Sequence, residues 1–181
     1  MNDNKQMKVF FGLFGFIFLL LTGPFLHGQD LVINEFMADN DITIMDEFGD
    51  YSDWIELYNA GALAVNLGEY FLSDDPTEPQ EWPIPDSLLE PGEFLLVFAS
   101  GRDTLLHTNF KISSSGEVLY IFDSEGNLVE STDSVALGGD HSYGRVTDGS
   151  AEWKVFDLPS PGASNDLGNA LSFSHERGFY T

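Results

Sequence analysis

Beyond residue 30, apolar residues never recur at the 3.6-residue spacing of an amphipathic helix. They fall in short, partly alternating runs, most of them bounded by Gly, Pro, Asn, Asp or Ser. The runs cover residues 31–37, 54–59, 70–73, 94–99, 118–122, 128–134, 142–146 and 153–156. Turn signals separate them, among them Asn59-Ala60-Gly61, Asp74-Asp75-Pro76, Glu90-Pro91-Gly92, Ser115-Gly116 and Asp148-Gly149. A chain patterned this way buries its apolar side chains by closing or stacking sheets, which predicts an all-β sandwich or a small barrel. The plainest hairpin joins 118–122 to 128–130 through Asp123-Ser124-Glu125-Gly126-Asn127. No internal repeat is visible.

With 43% hydrophobic and 14% aromatic residues, the chain can build a sizeable core. It carries 30 Asp and Glu against seven Lys and Arg, for a formal charge of -23. That balance excludes nucleic acid as a partner, because the phosphate backbone needs cations to neutralise it. No cysteine is present, so disulfides, thiolate metal sites, a cysteine nucleophile and a lipidated-cysteine anchor are all excluded.

At the N-terminus, Lys5 and Lys8 precede an apolar stretch from Val9 to Leu21, which Thr22-Gly23-Pro24 breaks. This is the pattern of a signal-peptide helix, and it is short of the roughly 20 residues that span a bilayer. The expected organisation is a signal peptide over 1–29, cut near Gly28 or Gln29, a domain over 30–165, and a linker with the start of a following module over 166–181. The product is expected in the periplasm, on the cell surface or in the medium, with no membrane span after cleavage. The run Pro159-Ser160-Pro161-Gly162-Ala163-Ser164-Asn165 has little to bury and reads as an exit loop or linker.

Two features invite a site. The loop Asp46-Glu47-Phe48-Gly49-Asp50-Tyr51-Ser52-Asp53 concentrates carboxylates. Calcium takes six to eight oxygen ligands from such loops, so Asp46, Asp50 and Asp53 are its candidate ligands; a structural loop in which Asp50 or Asp53 satisfies backbone N–H groups in turns is the competing reading. The spacing is not that of an EF-hand, since Phe48 stands at a ligand position. Asp39-Asn40-Asp41 and Asp74-Asp75 read as turns. Trp54, Trp82 and Trp153 would form a glycan platform if two stood exposed together, and otherwise pack in the core. Alternation places Trp54, Glu56 and Tyr58 on one face and Leu57 on the other. Catalysis has no constellation to rest on. Adjacent residues of Asp140-His141-Ser142 point to opposite faces of a strand, and no G-x-S-x-G elbow, H-E-x-x-H or phosphate loop occurs. His107 reads as a structural hydrogen-bonding residue.

An ordered set of segments also resembles the bacterial lamin tail domain. It runs from Ile33-Asn34-Glu35-Phe36-Met37-Ala38 through Gly49-Asp50-Tyr51-Ser52-Asp53-Trp54-Ile55-Glu56-Leu57-Tyr58-Asn59. It continues through Leu67-Gly68-Glu69-Tyr70-Phe71-Leu72-Ser73-Asp74-Asp75, Trp82-Pro83-Ile84-Pro85 and Glu90-Pro91-Gly92. It ends with Leu106-His107-Thr108-Asn109-Phe110, Ser142-Tyr143-Gly144-Arg145 and the closing Pro/Ser run. The resemblance implies an immunoglobulin-like β-sandwich that serves as a non-catalytic interaction or structural module of a secreted or surface protein, toward an unknown protein or glycan. Phe173-Ser174-His175-Glu176-Arg177-Gly178-Phe179-Tyr180 resembles the opening strand of a second Ig-like module found in secreted proteins with a CotH-type kinase domain. The chain would then be the N-terminal part of a larger protein. The alternative expectation is a calcium-dependent adhesion or carbohydrate-binding module.

Overall fold

The computed structural model describes residues 30–166. The expected signal peptide over 1–29 and the tail beyond residue 166 lie outside the described residues. Two antiparallel sheets face each other. One has the strand order β11 (Trp153–Phe156), β10 (Ser142–Arg145), β1 (Leu31–Met37), β2 (Trp54–Asn59) and β7 (Phe94–Phe98). The other has the order β5 (Trp82–Pro83), β4 (Tyr70–Ser73), β8 (Tyr120–Asp123) and β9 (Leu128–Ser131). A two-stranded ribbon pairs β3 (Val65–Asn66) with β6 (Leu88–Leu89). This is the expected all-β, immunoglobulin-like sandwich.

The longer strands stand where alternation placed them. Ile55 and Leu57 of β2 and Val97 of β7 point into the core with Leu72, Leu119 and Ile121 of the facing sheet. The predicted hairpin forms between β8 and β9. Asp123 Oδ1 accepts from the backbone N–H of Glu125 and Asn127 and closes its turn. The three two-residue strands were not anticipated, because two residues carry no readable period.

The outer face of the five-stranded sheet is also buried, in two halves. Over one half, the 40–52 loop lays Ile44 on a second apolar cluster of Met37, Trp54 and Phe98. Trp54 therefore lies on the outer face and is still fully buried. Over the other half lie carboxylates. A bulge in β1 between Ile33 and Glu35 sets Asn34 and Glu35 beside Glu56 of β2, and all three are fully buried.

The run 159–165 docks on these groups and belongs to the domain; it is not a free linker. Ser160 donates from its N–H and its hydroxyl to Glu35, and the Gly162 N–H donates to Glu56 Oε2 at 2.7 Å. The Asn165 side-chain amide donates to the carbonyls of Arg145 (2.7 Å) and Asn34 (3.3 Å). Gly144 makes room for this amide. A Cβ there would come within 2.9 Å of Glu35 Cγ and 3.1 Å of the Asn165 amide nitrogen.

The bulge leaves the backbone of Ile33 to be satisfied from outside the ladder. Its N–H donates to Glu130 Oε2 of β9 (2.8 Å), and its carbonyl accepts from Arg145 Nε of β10 (2.8 Å). Arg145 and Glu130 pair directly, so the buried ion pair ties the two sheets together at the bulge.

Candidate functional site

The acidic loop is organised from within. Asp46 is its hub. Asp46 Oδ1 accepts from the backbone N–H of Phe48 and Asp50, each at 2.9 Å, and Oδ2 accepts from the Ser52 hydroxyl at 2.8 Å. Gly49, at φ +85°, makes the turn these bonds require. Asn40 holds the loop's base, donating to the carbonyls of Ile44 and Ser52. Asp140 Oδ1 accepts from the N–H groups of Asp41, Ile42 and Thr43 and from the Thr43 hydroxyl. These Asp and Asn side chains therefore act largely as backbone partners, the competing reading of such clusters.

The loop's cation comes from the chain itself. Arg102 donates from Nη1 to Asp46 Oδ2 at 2.8 Å and pairs through Nη2 with Asp50. Hydrogen bonds from Asp50, Ser52, Phe48 and Arg102 outweigh burial and hold the Asp46 carboxyl below its ordinary range. Asp53 shares none of these partners. Its Oδ1 takes the Asn40 N–H at 3.3 Å, and burial, with Asp39 nearby, pushes its carboxyl up to about 6. Asp50 and Asp53 thus border one cleft, which Asp46 does not line. Among the described residues, no group of three or more His, Asp or Glu is placed to hold a metal ion. Of the three expected calcium ligands, Asp46 already has both oxygens taken, by N–H donors, a hydroxyl and a guanidinium.

His107 joins this loop to the next. It is fully buried, with Nδ1 2.7 Å from Ser100 Oγ and Nε2 3.1 Å from Glu47 Oε2. Its ring stacks on Phe98 (centroids 5.2 Å, 25° between planes) and tilts against Phe48. Serine, histidine and glutamate in a row have the composition of a catalytic triad, but the burial is reversed. The imidazole is sealed and the carboxylate stands out in solvent, 44% exposed. A triad needs a buried acid and a reachable base. Here the row is a strut between two loops, in keeping with the structural reading of His107. Sequence reasoning could not pair these residues, since Glu47 lies 60 positions from His107.

Two clefts flank the strut. One, of about 310 Å³, is mainly polar and lined by Asp50, Tyr51, Ser52, Asp53, Ser100, Arg102 and Lys111. The other, of about 490 Å³, is apolar and lined by Glu47, Pro85, Phe98, Leu105 and Leu106. Leu105 is 66% exposed and adopts φ +51°, a conformation costly for a leucine. Of the tryptophans, Trp54 and Trp82 are buried and present no platform. Trp153 is half-buried, stacked on Tyr143 and under the Arg145 guanidinium. His141 and Asp157 approach to 3.5 Å on an exposed surface and form no relay with Ser142, whose hydroxyl turns to Glu35.

Fold and site together describe an Ig-like sandwich whose polar loops are committed to holding themselves in place. The lamin tail domain model matches residues 27–136, and the chain belongs to that family of non-enzymatic Ig-like domains. No curated protein matches the chain. The matched span stops short of β10 and β11. These strands complete the sheet begun by β1, so the structural unit runs on to residue 165.

Proposed function

We propose that the chain is an exported, non-catalytic interaction module that docks a protein partner. The observation that carries this reading is the apolar cleft at Leu105. A strained backbone holds that leucine out in solvent beside Pro85, Leu106 and Phe98. Strain kept at an exposed apolar residue is better explained by recognition than by packing. Glu47 lies at the cleft and the chain carries net charge -23, so the matching surface offers an apolar side chain flanked by Lys or Arg. The positive n-region and apolar run at the N-terminus support export. Calcium-dependent adhesion, the alternative, would require the loop carboxylates to exchange Arg102 for the ion.

The test places a photoreactive amino acid at position 105 of the full chain in the cells that make it. The expected result is a processed chain outside the cytoplasm, crosslinked to one protein species from position 105 and not from a control at Leu128. A chain retained unprocessed in the cytoplasm would overturn export. Absence of a crosslink specific to position 105 would overturn the docking surface.

A further inference from the structure

The polar cleft is built differently from the apolar one and makes a separate case. Its floor is Ser100, whose hydroxyl is oriented by His107. One wall is the 50–53 segment, with Tyr51 39% exposed at the rim. The other wall is Arg102 and Lys111, brought together by the bridge between Ser100 and Lys111.

Three properties restrict what fits. First, the lining charges balance. Asp50 and Asp53 face Arg102 and Lys111, so the cleft has no net preference for an ion of either sign, and the -23 of the whole chain disfavours anions. Second, unused hydrogen-bonding capacity of both kinds points into one space. Asp53 Oδ2 accepts no hydrogen bond from a described residue, and Lys111 makes no ion pair with one. Asp53 Oδ2 is open to solvent, so a ligand hydroxyl can take the place of water there. Third, the lining is polar and the volume lies at the small end of ligand sites, which excludes a large apolar ligand.

A molecule that is neutral, small and rich in groups that both donate and accept meets all three conditions. We propose that this cleft binds one neutral sugar residue, alone or within a polysaccharide. Asp53 accepts from its hydroxyls, Lys111 and Ser100 donate, and Tyr51 covers one apolar face of the ring. The site does not depend on the protein-docking cleft, nor on the buried tryptophans.

The test is a titration of the ¹⁵N-labelled full chain with methyl glycosides of glucose, galactose, mannose, xylose and N-acetylglucosamine. Sodium sulfate and glycine serve as anionic and zwitterionic probes. At least one glycoside is expected to saturate in the millimolar range, shifting the amides of residues 50–53, 99–102 and 111. Asp53→Asn and Lys111→Met are each expected to weaken that binding roughly tenfold, the cost of removing a charged hydrogen-bond partner. Both side chains border solvent, and an unchanged spectrum outside the cleft shows that each variant is folded. Arg102→Gln, which loosens the loop and leaves the two sugar partners in place, is expected to cost less. The proposal is overturned if no glycoside shifts these amides. It is also overturned if the variants bind as well as the parent, or if sulfate or glycine saturates the cleft and the glycosides do not.

Discussion

Removing Glu130 should cost far more than a surface ion pair would. The Glu130 and Arg145 side chains are only 6% and 8% exposed. Burial outweighs the pull of Arg145 and holds the Glu130 carboxyl above its ordinary range. The pair is therefore a lock on geometry more than a source of net stability. In Glu130→Ala, the guanidinium stays tethered by the carbonyls of Ile33 and Ser150 and by the Trp153 ring, with no counter-charge. The Ile33 N–H also loses its acceptor. An unpaired buried charge of this kind costs about 3–5 kcal/mol, a large share of a typical domain's stability. Arg145→Met differs in kind. It strands a carboxyl, which can take up a proton, whereas a guanidinium cannot lose one.

Urea unfolding of the full chain at pH 5 and pH 8 separates the two cases. Glu130→Ala should lower the midpoint at both values with an unchanged slope, and by no less at pH 5 than at pH 8, because the raised Glu130 carboxyl is itself lost. The Arg145→Met loss should shrink at pH 5, because a folded-state pKa raised above the unfolded one gives stability that is present at low pH and lost as pH rises. The double variant should fall short of the sum of the singles. A Glu130→Ala loss below about 1 kcal/mol, within the range of exposed pairs, would refute the reasoning.

The same logic applies under the docked C-terminal run. Burial, then Glu35 and Asp148, push the Glu56 carboxyl up to about 8 against the hydrogen bonds from Asn34 and Gly162. Glu35 is raised as well, again by burial first. Stability should decline from pH 5 to pH 8.5, and Glu56→Gln should flatten that decline in a series of melting curves. An identical pH profile would sink the assignment. Gly144→Ala should lower the unfolding free energy measured in urea by roughly 1–3 kcal/mol, the usual cost of overpacking, and should speed amide exchange at Gly162 and Asn165 as their run lifts from the sheet. Unchanged exchange would show that the run is not held there. Millimolar calcium should leave the melting temperature where EDTA leaves it, because Arg102 holds Asp46 and Asp50. A rise of several degrees would return Asp46, Asp50 and Asp53 to the role of ligands.

What could be read from the chain, and what could not, divides by the range of the interaction. Alternation is a local property, and it located β1, β2, β7 and the β8–β9 hairpin because each strand is long enough to show a period. The turn reading of this loop was also local, but it gave the role to Asp50 or Asp53, whereas the structure gives it to Asp46, three of whose partners lie within six positions. Arg102 was invisible from there, 56 positions away, so a loop rich in carboxylates looked as if it lacked a cation. The Pro/Ser run looked like a linker for a related reason. Its composition offers little apolar area, and it docks through three N–H groups, two hydroxyls and one amide, whose acceptors lie on β1, β2 and the 145–148 segment.

Those buried acids explain how this sandwich covers its second face. An outer sheet face can be left polar to water, or covered by further apolar area. Here the half near Trp54 takes the second course, using one loop. The half near Glu35 and Glu56 takes neither. It buries charge-bearing side chains and pairs them with the backbone and hydroxyls of a segment too polar to be recruited by the hydrophobic effect. Hydrogen bonds to buried carboxylates depend on direction, so this arrangement admits one register of residues 159–165 and penalises every other by leaving an acid unsatisfied. An apolar patch would hold the segment in many positions. The acidic patch holds it in one, and so fixes where the chain leaves the domain.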